Sequence, residues 1–97
     1  MDKQRWWTMT VSEQILNIGG EVQRACDWRA KGDEEKAQRF FDKAMGWFEL
    51  TINDPKNKNR IRELSLVEEE LSVYFASGNN KPEEIMDYYD SFMNAIY

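Results

Sequence analysis

Apolar residues recur along this chain at alternating gaps of three and four, the spacing that lines one face of an α-helix. Val11, Ile15, Ile18, Val22 and Ala25 form the first such stripe. It is opened by Thr10-Val-Ser-Glu13, a capping-box pattern, and closed near Gly32. A second stripe runs through Ala37, Phe40, Phe41, Ala44, Trp47, Phe48 and Thr51. Asp33 is placed to cap it, Glu34 and Glu35 suit its positive end, and Asn53-Asp54-Pro55 stops it. Ile61, Leu64, Val67, Leu71, Tyr74 and Phe75 make a third, ending at Ser77-Gly78. Pro82 at a first helical position, followed by Glu83 and Glu84, starts a fourth with Ile85, Tyr88, Tyr89, Phe92 and Ile96. No period-two alternation stands anywhere between them. The pattern predicts an all-α fold, an antiparallel up-down four-helix bundle with helices at about 10–31, 34–53, 58–77 and 82–96. One domain spans 1–97, with 1–9 as an N-terminal arm.

Two adjacent glycines interrupt the first stripe, although each costs about 1 kcal/mol against alanine in a helix interior. Ser12, Gly19 and Cys26 fall seven apart on one line of small residues. A line of that kind admits large rings from a facing helix, and Phe40, Phe41, Trp47 and Phe48 of the second stripe are the expected occupants. Gly20 lies about 100° further round, towards solvent, where it fills no notch.

Composition narrows the chemistry. The chain has 97 residues, 41% of them hydrophobic and 32% charged, with a formal charge of −5. That balance is globular and does not favour a general nucleic-acid binder. A single cysteine, Cys26, excludes an intramolecular disulfide and suits a reducing compartment. No apolar run is long enough for a signal peptide or a bilayer span, so the expected location is the cytoplasm with no membrane contact. Histidine is absent, which removes the commonest general base and metal ligand. Neither a cofactor site nor a catalytic constellation is found, and the expectation is a protein that is not an enzyme.

Residues 25–44, ACDWRAKGDEEKAQRFFDKA, resemble a single tetratricopeptide-type helical hairpin through Ala25, Trp28, Gly32, Ala37, Phe41 and Ala44. Glu21 and Arg24 depart from it, standing where that repeat has bulky apolar residues, and no second copy follows. Over more of the chain, SEQILNIGGEVQRA, the W…KGDEEKA…FF stretch and LTINDPKNKNRIREL look like small all-helical bacterial proteins of uncharacterised function. That resemblance implies a bundle and a bacterial source. It implies no activity and carries over no functional residue.

Two surfaces are candidates for function. Leu66 and Val73 are one heptad apart and point away from Leu64 and Leu71. Met86 and Met93 repeat that spacing on the fourth helix, and Trp28 and Leu50 sit towards the outer sides of the first two. Either Trp6 and Trp7 of the arm fold over these residues, or they form an interface with another protein, most simply a homodimer. The second surface is the basic segment Lys56, Lys58, Arg60 and Arg62, which with Trp6 and Trp7 alongside would suit nucleic acid. Its bland alternative is ion pairing with Glu83, Glu84, Asp87 and Asp90. The expected function is a non-catalytic protein-interaction or assembly module, with a small nucleic-acid-binding or regulatory protein as the alternative.

Overall fold

The computed structural model describes residues 3–78, 87 and 89–91, and the described residues are all-α. A short helix α1 (Lys3–Trp7) leads into α2 (Val11–Ala30) and α3 (Glu34–Ile52). A 3-10 segment (Pro55–Arg60) then runs directly into α4 (Ile61–Ala76). Asp87 and Tyr89 to Ser91 are helical, while the rest of the expected fourth helix, 82–96, lies outside the described residues.

The local signals act as their chemistry dictates. Thr10 Oγ1 accepts from the Glu13 amide at 3.1 Å, and the Glu13 carboxylate accepts from the Thr10 amide at 3.2 Å, closing the capping box of α2. At its other end Gly32 adopts φ +85°, the left-handed conformation that lets the Asp33 amide donate back to the Trp28 carbonyl at 3.0 Å. Asp33 immediately caps α3 through the Lys36 amide. Only three residues separate the two helices, so they form a tight hairpin, the most extensive packing among the described elements. Ile15, Ile18, Val22 and Ala25 of α2 and Ala37, Ala44 and Phe48 of α3 are buried in its seam. α4 closes the core with Leu64, Val67, Leu71 and Phe75, and the Phe75 ring stacks on Phe41 at 4.0 Å between centroids, 3° from parallel. Arg29 lies over the other side of that ring and donates to the Phe75 carbonyl at 2.8 Å, a cation at the negative end of α4. Ile61, expected in the third stripe's core line, is 44% exposed, because as the first residue of α4 it stands about 60° round the helix from Leu64, off the line of Val67 and Leu71.

The arm is not an appendage. Trp6 has no exposed surface, packs against Trp47 and donates its indole N–H to Thr51 Oγ1 at 2.9 Å. Trp7 donates to the Leu50 carbonyl at 2.9 Å. Beside Trp6 a buried polar cluster ties α1, α2, the end of α3 and the 3-10 segment together. Gln14 donates to the Trp6 carbonyl at 3.0 Å and to Asp54 at 2.9 Å, and accepts from Asn57. Asn57 also donates to the Thr51 carbonyl at 2.9 Å. Each buried side chain of this cluster has partners, the condition under which burying polar groups holds a geometry rather than weakening it.

Gly19 answers the question its sequence context raises, with a different ring from the one expected. A Cβ placed there would lie 2.7 Å from Tyr89 Cε1, and the three atoms nearest to it all belong to that ring rather than to an aromatic of α3. The Tyr89 hydroxyl donates to the Ile15 carbonyl, which seats the ring against α2. The notch exists, but α3 already fills its own side of α2 through Ala37, Ala44 and Phe48. Among the described residues nothing would lie within 4 Å of a Cβ placed at Gly20, its own helix neighbours aside.

Candidate functional site

The outer face of α4 follows from its inner one. With Leu64, Val67, Leu71 and Phe75 turned onto the core, the 100° step of the helix directs Leu66 and Val73 outward. They are 53% and 65% exposed, among the largest apolar surfaces of the described residues. Both line a shallow groove of about 440 Å³ together with Glu69, Glu70, Tyr74 and Ser77. Neither Trp6 nor Trp7 covers it, since both tryptophans engage the end of α3.

The other expected interface residues are not joined to that face. Leu50 is half-buried against the core, its carbonyl held by Trp7. Met86 and Met93 lie outside the described residues. Trp28, also half-buried, lines a second groove of about 420 Å³ with Lys36, Arg39, Phe40 and Lys43 on the opposite side of α3 from α4. Lys31 and Lys36 stand over its ring, 4.9 and 4.2 Å from the centroid. Sequence reasoning passed over this groove because its cations are spread among acidic residues. The signal was the spacing of Lys36, Arg39 and Lys43, three and four apart along one edge of α3.

The basic segment divides in the structure. Lys56 is committed to the fold, since its ammonium bonds the Asp54 carboxylate and donates to the Trp7 carbonyl at 3.0 Å. Lys58, Arg60 and Arg62 have no ion pair among the described residues. Of the two rings expected beside them for base stacking, Trp6 is wholly buried, while Trp7 is half-buried with Lys3 over its ring.

Three carboxylates have unusual surroundings. Burial raises the Asp54 proton affinity, but hydrogen bonds from Lys56 and Gln14 outweigh it and hold the carboxyl below its ordinary value. Glu68 of α4 is pushed up to about 7 by burial, then by a shared hydrogen bond and charge repulsion with Glu49 of α3. Glu21 is 3% exposed; one oxygen meets Arg24 at 2.5 Å and Lys43 at 3.7 Å, and the other has no hydrogen-bond partner among the described residues. Burial likewise raises the Cys26 thiol, keeping it in the unreactive protonated form. Among the described residues no three His, Cys, Asp or Glu side chains are placed to hold a metal ion, and no helix is long and apolar enough to cross a membrane.

No protein family, curated protein or solved structure matches this chain. The positions behind the hairpin resemblance take the places that pairwise helix packing needs. Ala25, Ala37 and Ala44 are fully buried in the α2–α3 seam, with Phe41 beside them.

Proposed function

We propose that the protein is a non-catalytic assembly module that associates with further copies of itself through the outer face of α4. The observation that carries this reading is the pair Leu66 and Val73, heptad-spaced, more than half exposed and continuous with Tyr74 in one groove. Apolar surface gathered in this way gains by leaving water, at about 25 cal/mol per Å² buried. Glu69 and Glu70 border it and supply the charge that orients a partner. The fold proposed around this face is the antiparallel four-helix bundle. Tyr89, helical and seated in the Gly19 notch, supports a further helix packed on α2.

Size-exclusion chromatography with light scattering over a concentration series tests the assembly. Wild-type protein forms species larger than the 11.6 kDa chain, and Leu66→Glu/Val73→Glu remains monomeric with unchanged helical circular dichroism. Undiminished self-association of the double variant would overturn the assignment of this face.

A further inference from the structure

The groove on α4 and the groove on α3 share one spacing. Leu66, Glu69, Glu70 and Val73 stand at i, i+3, i+4 and i+7, and so do Lys36, Arg39, Phe40 and Lys43. Each quartet covers about 10.5 Å of helix, seven steps of 1.5 Å. Their chemistry is opposite. The α4 quartet places two carboxylates between two aliphatic side chains; the α3 quartet surrounds an aromatic ring with three cations, and Trp28 extends its apolar floor.

On this basis, and resting on the assembly reading above, we infer that the α4 face of one copy docks in the α3 groove of the next, giving a head-to-tail assembly. Pairing α4 with α4 about a twofold axis is disfavoured by charge. An axis midway between Leu66 and Val73 passes between Glu69 and Glu70, so both carboxylates would meet their counterparts in an interface that excludes water. In the α3 groove the same carboxylates meet a cationic surface that includes Arg39 and Lys36, and Phe40 and Trp28 supply apolar surface beside Leu66 and Val73. The cations are free to change partner. Among the described residues Arg39 is held by an exposed pair with Glu35 at 3.7 Å, and Lys36 by Asp33 at 4.0 Å and the Trp28 ring. Lys43 differs, since it neutralises buried Glu21 and stays with it. The two grooves lie on opposite sides of α3, so each copy keeps one face open after docking and the assembly grows.

A mixing experiment decides between the two geometries. Lys36→Glu/Arg39→Glu spoils the groove and leaves α4 intact, whereas Leu66→Glu/Val73→Glu does the reverse. All four positions are exposed, so neither pair removes a core residue, and circular dichroism with a Lys36→Gln/Arg39→Gln counterpart checks the fold. Each double variant alone is monomeric. Mixed in equal amounts they give a 1:1 complex of twice the 11.6 kDa chain mass, stopped there because no second complete pair of faces remains. Wild-type assembly grows with concentration and weakens with added salt. Self-association of Lys36→Glu/Arg39→Glu at wild-type strength would overturn the head-to-tail pairing while leaving the α4 face in place. Wild-type protein that stays monomeric throughout would overturn the assembly reading itself.

Discussion

Adding a single methyl group at Gly19 and at Gly20 should have opposite effects on stability. Both residues lie within α2, so either substitution to alanine gains about 0.5–1 kcal/mol of helix propensity. At Gly20 an added Cβ meets nothing within 4 Å among the described residues, and that gain is the whole effect. At Gly19 the new Cβ would sit 2.7 Å from Tyr89 Cε1 and 3.2 Å from Cδ1, so the ring must move. Tyr89 is fully buried and tied by its hydroxyl to the Ile15 carbonyl, which leaves it little room to do so. Overpacking of this kind costs about 1–3 kcal/mol, and loosening the hydroxyl bond adds about 1 kcal/mol. Gly19→Ala is therefore destabilising by about 1–3.5 kcal/mol after the propensity gain, and Gly20→Ala is stabilising by about 0.5–1 kcal/mol. In a domain of this size each kcal/mol moves Tm by about 4–8 °C, so the two variants fall well apart on either side of wild type. Urea titration followed by tryptophan fluorescence measures the difference, with equal m-values as the check on two-state unfolding. A Gly19→Ala protein as stable as Gly20→Ala would refute the seating of Tyr89 in the notch.

Acid and neutral pH should expose two carboxylates of opposite sign. Asp54 has its affinity for protons lowered by folding, so its contribution is complete above the usual value of 3.8 and disappears as pH falls through its depressed value. Asp54→Asn thus loses stability at neutral pH and approaches wild type in acid, which denaturation midpoints across pH would record. Glu68 is raised from 4.5 to about 7, so its contribution is complete below 4.5 and is lost as pH rises through 7. Glu68→Gln should flatten that part of the profile, and a wild-type midpoint constant from pH 4.5 to 8 would count against the Glu49–Glu68 contact. Thr51→Val, nearly isosteric, leaves the buried Trp6 indole N–H without its acceptor and should cost about 1–3 kcal/mol. Most of that cost should vanish in a Trp6→Phe background, as a double-mutant cycle by chemical denaturation would reveal.

The elements were legible in the sequence because the forces that start and stop helices act over a few residues. Thr10 with Glu13, Asp33 with Lys36 and the left-handed turn at Gly32 each need only neighbours in the chain, and the apolar stripes identify buried faces by period alone. By the same rule Leu66 and Val73 were legible as outward residues, since each follows a core position, Leu64 or Leu71, by two residues and so stands about 200° further round the helix. Tertiary structure decided what those faces meet. Trp6 reads as part of a loose arm until Thr51, 45 residues later, comes within hydrogen-bond distance. Gln14, Asp54 and Asn57 read as ordinary polar positions until folding buries them against one another. Gly19 declares a notch, yet only the packed chain selects Tyr89 to fill it. The groove of Lys36, Arg39, Lys43 and Trp28 joins two helices, so the period of neither helix alone reveals it. Periodicity determines which side of each helix is apolar; which side chains share that space depends on contacts between residues far apart in the chain, and only the packed fold supplies them.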